Sequence, residues 1–339
     1  MQLRTFGRTG VKVSPLCLGA MMFGGWGNPD HDESIAIIHR ALDAGINFID
    51  TADVYARGES EEIVGKALAG GRRDNVILAT KVHGTMGDDR NQFGNSRRWI
   101  VAEVEKSLRR LGTDHIDLYQ VHRPEPGVDV EETLGALTDL VAQGKVRYIG
   151  SSSYSGSQIV EAQWTAREQR LERFRTEQPP YSLLVRGIEL DVLPTARRHG
   201  MGILTYSPLS GGWLSGNWTA DSSPTSPARQ RLAARFDMSL LDNQRKLEAV
   251  EQLAKVADDA GVSLIELAIA FVVNHPAVTS AIIGPRTMEQ LDSQLPAADV
   301  VLDPAILDRI DAIVRPGVNL NPADTSYGEQ VLAPELRRR

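Results

Sequence analysis

The stretch Asn47-Phe48-Ile49-Asp50-Thr51-Ala52-Asp53-Val54-Tyr55 delivers a carboxylate at the end of a short apolar run and a phenol five residues later. Two further apolar runs end in groups able to do chemistry: Ile77 to Thr80 leads into Lys81, and Leu118 to Val121 into His122. Each has an ordinary explanation by itself, Asp50 as a cap or turn residue, Tyr55 as a rim aromatic, His122 as a satisfied structural histidine. Lysine is rarely buried without a carboxylate, so placing Lys81 beside Asp50 would account for both. An ammonium next to a phenol favours the phenolate and lowers a pKa that starts near about 10. A neutral imidazole can donate a hydrogen bond to a substrate oxygen and orient it against that phenol. Together these groups are machinery for protonating an oxyanion that develops on a carbonyl. No side chain donates electrons, so a reduction needs a hydride cofactor.

The elements that must position these groups alternate between apolar runs of strand length and segments of helical periodicity, about eight times along the chain. That is the pattern of βαβ units and a parallel sheet. Strands are expected to end at Gly19 and Asp50 and to cover Val76 to Thr80, Ile116 to Val121, Val146 to Ile149, Phe174 to Glu177, Gly202 to Tyr206 and Val278 to Ile283. Helices are expected over about Asp32 to Ala44, from near Ser60 to just before Gly70-Gly71, and over Arg97 to Leu111, Val130 to Gln143, Ser155 to Arg170 and Leu190 to His199. Further helices are expected over Gln244 to Ala260, Leu264 to Asn274, Met288 to Leu295 and Pro304 to Val314. Asp32 and Ser60 are the candidate caps of the first two. Leu3 to Ser14, folded at Gly7-Arg8-Thr9-Gly10, forms a hairpin outside the repeat. Eight units fit a closed (β/α)8 TIM barrel with an N-terminal hairpin and extra C-terminal helices, and catalysis in such barrels sits at the C-terminal ends of the strands. The reading is one domain over 1–339, with a core at about 3–315 and a tail at 316–339. Polar Ala220 to Ala228 is expected as a mobile surface excursion. The tail from Arg315 onward is expected either to cover the mouth or to lack order in part.

Composition excludes several alternatives. A formal charge of -7, from 37 basic and 44 acidic residues, gives no global attraction to nucleic acid or anionic lipid. The longest apolar stretch, Leu264 to Val273, is broken by Glu266, and Met1 to Phe6 has no apolar core, so neither a membrane span nor a signal peptide is expected. The single cysteine, Cys17, fits a reducing compartment. Cytoplasmic residence follows as the expectation, with no nucleic-acid or membrane partner and no metal site. Nothing in the sequence sets an oligomeric state.

From about Leu3 to Leu302 the chain resembles the aldo-keto reductase superfamily. Phe48-Ile49-Asp50-Thr51-Ala52-Asp53-Val54-Tyr55 followed by Gly58-Glu59-Ser60-Glu61 and Gly65 is similar to one signature of that family. Asp117-Leu118-Tyr119-Gln120-Val121-His122-Arg123-Pro124 is similar to its histidine motif, and Gly144-Lys145-Val146-Arg147-Tyr148-Ile149-Gly150 to the segment that follows. The resemblance implies a catalytic tetrad of Asp50, Tyr55, Lys81 and His122, a small carbonyl substrate, and NAD(P)H bound across the barrel mouth without a G-x-G-x-x-G fingerprint. It further implies that Ser152, Ser153 and Gln178 hold the nicotinamide carboxamide and that Tyr206 stacks on the ring. Ser207, Leu209, Ser210 and Gly211 would cradle the pyrophosphate, and Gly284, Arg286, Gln290 and Gln294 would hold the adenosine end. Arg286 suits a 2'-phosphate, which favours NADP(H) over NAD(H). Ser153 stands where the family usually has asparagine, and Ser293-Gln294 where it usually has Glu-Asn.

Trp26 after the first strand, and Trp213 and Trp218 after the seventh, are candidate walls of an apolar substrate pocket, with ordinary packing as the alternative. His83, two residues past Lys81, reaches the mouth by strand alternation. The expected function is NADPH-dependent reduction of aldehydes and ketones with Tyr55 as general acid. The alternatives are a cofactor-binding regulatory subunit of the potassium-channel β type, and a Schiff-base aldolase using Lys81.

Overall fold

A computed structural model of the 339-residue chain describes residues 1–219, 222 and 232–325. A two-stranded antiparallel hairpin, β1 (Arg4–Thr5) and β2 (Lys12–Val13), precedes eight parallel strands that close into a barrel. These are β3 (Leu16–Gly19), β4 (Phe48–Asp50), β5 (Ile77–Val82), β6 (Ile116–Val121), β7 (Val146–Ser152), β8 (Thr176–Gln178), β9 (Gly202–Thr205) and β10 (Ser280–Ile283). Neighbours follow sequence order, and β10 closes the ring against β3.

Two-residue alternation sorts each strand's side chains. Ile49, Leu78, Tyr119, Ile149 and Ile203 join the apolar layer shared with the helices. Cys17, Phe48, Ala79, Leu118, Leu204 and Ile282 form a separate cluster closed by Phe6 and Val13 of the hairpin region. The Phe6 ring meets Phe48 edge-on, with centroids 5.6 Å apart. The hairpin therefore plugs the bottom of the barrel. One alternation further along β4, β5 and β6 come Asp50, Lys81 and Gln120, joined by Gln178 of β8, all buried. The register sets them level, with Lys81 opposite Gln120 and Ser152 opposite Gln178. A dry apolar floor thus lies beneath a polar layer at the mouth.

Around the barrel run α1 (His31–Asp43), α2 (Glu59–Leu68), α3 (Arg97–Leu111), α4 (Val130–Ala142), α5 (Gly156–Gln169), α6 (Val192–His199), α7 (Leu241–Asp259), α8 (Leu264–Asn274), α9 (Met288–Gln294) and α10 (Pro304–Ile313). Capping boxes at Ser155 with Gln158 and at Ser263 with Glu266 start α5 and α8. The cap of α1 is Asp30 rather than Asp32, since Asp30 accepts the Glu33 N–H. Ser60 does not cap α2; its hydroxyl donates to Ala20 O at 2.8 Å and meets Thr51 Oγ1 at 2.9 Å, tying the helix to the tops of β3 and β4. A Cβ on Gly65 would lie 2.7 Å from the carbonyl oxygens of Arg110 and Leu111, so only glycine lets α2 approach the end of α3. Strands β5 and β7 run two and three residues beyond their expected ends, to Val82 and Ser152, because β6 continues to pair with β5, and β6 and β8 with β7.

The tail up to Thr325 packs against the loops that follow β8 and β9 and against the first turns of α7. Arg186 N donates to Val318 O at 3.0 Å, Leu320 N to Leu184 O at 3.1 Å, and Lys246 Nζ pairs with Asp324 at 2.8 Å. Except for Ser222, the polar stretch 220–228 lies outside the described residues, as does 326–339. Among the described residues no helix is long and apolar enough to cross a membrane, and no group of three or more His, Cys, Asp or Glu could hold a metal ion.

Candidate active site

Lys81 sits at the centre of the mouth, fully buried. An ammonium carries three hydrogens, and each has an acceptor: Asp50 Oδ1, Thr51 O at 2.8 Å and the Tyr55 hydroxyl at 3.2 Å. The phenol reaches it because the chain after β4 folds back at once through a short turn, Tyr55–Gly58, in which Ala56 and Arg57 take left-handed φ of 48° and 58°. Two non-glycine residues in that region are a strained arrangement, and such strain concentrates at functional sites. His122, the next inward position after Gln120, presents its ring edge-on to Tyr55 with centroids 5.7 Å apart. The structure therefore assembles all four groups singled out from strand ends.

Electrostatics assign Lys81, Tyr55 and His122 a protonation state. Burial by itself would drag the Lys81 ammonium down, but Asp50 and the bonded phenol outweigh it and hold its pKa above the ordinary value. Burial pushes the Tyr55 phenol above its usual range, and the pull of Lys81 offsets this only in part. The expectation that the ammonium brings the phenol below its ordinary value is thus corrected: desolvation dominates, and Tyr55 keeps its proton at neutral pH. Burial also holds the His122 imidazole well below its ordinary value, and the charges of Lys81 and Arg123 press the same way. It is a neutral ring.

Gln120 escaped the sequence reading. It is fully buried, donates through Nε2 to Asp50 Oδ2 at 2.9 Å, and accepts from Gln178 Nε2 at 3.1 Å. Gln178 Nε2 also donates to the same Asp50 oxygen at 2.9 Å. Asp50 is thereby held on one oxygen by two amides and on the other by Lys81. The available signal was its position two residues before His122, which alternation places on the same inward face.

Residues implied for the nicotinamide gather beside this network. Ser153 has φ 60°, a conformation that asparagine tolerates better than serine, and its hydroxyl meets the Tyr206 hydroxyl at 3.4 Å. Ser152 Oγ donates to Gln178 O at 2.9 Å, so its hydrogen is already committed. After β9, Ser207, Ser210 and Gly211 all have positive φ, at 58°, 49° and 68°. Leu209 precedes the turn, half-buried. A Cβ on Gly211 would lie 3.0 Å from the Phe236 ring. Ser210 Oγ is buried with no hydrogen-bond partner among the described residues. An unpartnered buried hydroxyl on a left-handed turn beside exposed Gly211 is a donor set that fits a phosphate-bearing group. Of the residues implied for the adenosine end, Arg286 is fixed through its backbone, its N–H donating to Gln290 Oε1 at 2.9 Å and its carbonyl accepting from Asn28 Nδ2 at 2.8 Å. Gly284 is exposed beside it, and Gln294 is buried one helical turn past Gln290.

Trp26 packs over Tyr55 at 6.0 Å between centroids, on a loop pinned by the Gly25 N–H to Glu59 Oε2 at 2.8 Å. His83 has φ 152°, which turns the chain out of strand geometry, and it bonds Asn95 Oδ1 at 2.9 Å. Trp213 is not a pocket wall. Its exposure is 0%, its Nε1 donates to Arg235 O at 3.2 Å, and it packs with Trp218 at 4.6 Å under the Lys246 ammonium. The loop after β9 turns both tryptophans inward against α7, which leaves no surface of Trp213 for a ligand.

A sequence profile of the Aldo/keto reductase family matches residues 15–315. The chain is 41% identical over 326 residues to the uncharacterised oxidoreductase YrpG of Bacillus subtilis, covering 92% of this chain and 96% of that one. It is 36% identical over 341 residues to the aldo-keto reductase YhdN of the same organism, covering 99% of each. It is also 36% identical over 323 residues to a probable voltage-gated potassium channel subunit beta of Arabidopsis thaliana, covering 93% of this chain and 97% of the relative. With the barrel and the four strand-end groups in place, the match settles the lineage: the chain belongs to the aldo/keto reductase family.

Proposed function

We propose that the chain is an NADPH-dependent oxidoreductase that reduces aldehydes and ketones to alcohols. The observation that carries this is the Lys81 ammonium bonded at once to Asp50 and to the Tyr55 hydroxyl. Tyr55 arrives at the reaction protonated, and the adjacent cation stabilises the phenolate left after its proton moves to a carbonyl oxygen. His122, neutral and facing Tyr55, offers an N–H to that oxygen and sets its direction. Gln120 and Gln178 hold the Asp50 carboxylate aimed at Lys81. A bound nicotinamide dinucleotide supplies the hydride. Ser153, Gln178 and Tyr206 support a carboxamide-and-ring site, the Ser207 to Gly211 turn a pyrophosphate site, and Arg286 a preference for the 2'-phosphate of NADP(H).

The Schiff-base alternative loses ground, because a nucleophilic lysine needs a neutral amine and Lys81 is held as an ammonium with all its hydrogens bonded. A regulatory role draws support from the likeness to channel β subunits. NADPH oxidation over a panel of aldehydes separates the two. Turnover that Tyr55→Phe lowers by about 10²–10⁴-fold, with NADPH binding nearly intact, supports the reductase. A folded protein that binds NADPH and oxidises it with no aldehyde or ketone favours the regulatory subunit.

A further inference from the structure

We infer that Arg123 is a recognition group for an anionic substrate, so that the carbonyl compounds preferred by this site carry a carboxylate; this rests on the reductase reading and names its substrate class. Arg123 follows His122 directly at the end of β6 and is half-buried at the mouth. Its Nη1 donates to His122 O at 2.8 Å and to Ser153 Oγ at 3.0 Å. Those bonds fix one corner of a planar group with five hydrogens. The Nη2 and Nε edge makes no hydrogen bond or ion pair among the described residues.

No carboxylate among the described residues pairs directly with the cation. Lys81 is neutralised by Asp50, and burial keeps both His122 and His83 neutral. Glu125, two residues on, is occupied by the Asn95 N–H at 2.6 Å and forms no ion pair with Arg123. Burial raises the Glu177 carboxyl to about 8, so it is protonated at neutral pH and supplies no negative charge. A guanidinium never sheds its proton in this range. Its field already reaches the reacting groups, since it favours the Tyr55 phenolate and disfavours protonated His122. The mouth therefore holds a fixed positive charge with an open donor edge next to the groups that grip the carbonyl oxygen. A carboxylate at the far end of a small aldehyde or keto acid supplies the missing partner in the planar, two-point geometry that guanidinium favours.

The test is a matched pair, 4-carboxybenzaldehyde and methyl 4-formylbenzoate, which share ring and aldehyde and differ in the negative charge. Wild type should favour the acid in kcat/KM by about tenfold or more, chiefly through KM. The ratio should collapse toward unity in Arg123→Met and be partly kept in Arg123→Lys. If Arg123 serves only to position Ser153, both substrates fall together and the ratio stands, which overturns the inference; so does a wild-type preference for the ester. A second readout needs no turnover: quenching of tryptophan fluorescence by 4-(hydroxymethyl)benzoate against its methyl ester. Tighter binding of the acid that is lost in Arg123→Met supports the assignment, and equal binding overturns it. Absence of turnover with both aldehydes would remove the reductase reading and leave this titration to decide on Arg123.

Discussion

Gln120 on β6 donates to Asp50 Oδ2 on β4 at 2.9 Å, across the barrel interior and past the intervening strand that carries Lys81. The same amide accepts from Gln178, so one side chain ties the ion pair that serves Tyr55 to a residue implied in nicotinamide recognition. A buried carboxylate with a full set of donors has one orientation. Removing one donor frees it to turn away from the lysine.

Gln120→Met keeps the volume and deletes both bonds. Hydrogen bonds to charged groups are worth about 1.5–3 kcal/mol, so kcat should fall by about 10–100-fold, with a thermal melt confirming that the barrel still folds. Gln120→Glu should do worse at neutral pH than at acid pH, because a second carboxylate beside Asp50 is tolerated only when one of the two is protonated. A kcat equal to wild type in both variants would make Gln120 simple filler.

Trp213 makes a prediction about stability where the sequence suggested one about substrate. Its ring carries the Lys246 ammonium at 4.4 Å, packs tilted against Trp218 and stacks parallel to Phe236. Trp213→Ala should cost about 3–5 kcal/mol, read as a lower denaturant midpoint. An unchanged midpoint with an altered KM for a bulky aldehyde would return Trp213 to the pocket.

What the sequence disclosed follows from periodicity. Asp50, Lys81 and His122 end apolar runs, and two-residue alternation on parallel strands carries such ends to a common mouth; the bottom layer of Cys17, Phe48 and Leu118 obeys the same rule. Gln120 was equally placed by that rule but was hidden inside an apolar motif. The direction of Trp213 was not legible, because the positive-φ residues Ser207, Ser210, Gly211 and Gly212 decide which way the loop turns, and no period encodes that. The sign of the Tyr55 shift was missed for a different reason. The lysine could be foreseen, whereas the depth of burial that outweighs it is a property of the closed barrel.

Arg286 tests the cofactor preference. Its backbone is clamped between Asn28 and Gln290, and its guanidinium makes no ion pair among the described residues. Arg286→Ala should weaken NADPH far more than NADH, by about tenfold or more in Kd for a charge-assisted contact with phosphate. Equal losses for the two dinucleotides would take the 2'-phosphate away from this residue.

Glu177 predicts how stability depends on pH. It is fully buried on the outward side of β8, accepting from Ser151 Oγ at 2.5 Å and Tyr154 N at 3.0 Å. Burial raises its carboxyl from 4.5 to about 8, and the bonds from Ser151 and Tyr154 pull it back only partly. A carboxyl whose pKa is raised on folding binds its proton more tightly in the native state. Its contribution to stability is therefore complete below about pH 4.5, declines as pH rises, and is gone above about pH 8. The buried neutral histidines act in the opposite sense, losing stability as pH falls, so the raw curve mixes the two. Glu177→Gln isolates the carboxyl, since the amide can accept the Tyr154 N–H and donate to Ser151 without titrating. The difference in unfolding free energy, wild type minus variant, should fall between pH 5 and pH 8 by on the order of a few kcal/mol, measured by denaturant titration at intervals across that range. A difference that stays flat, or that grows with pH, would show that Glu177 is ionised in the folded barrel.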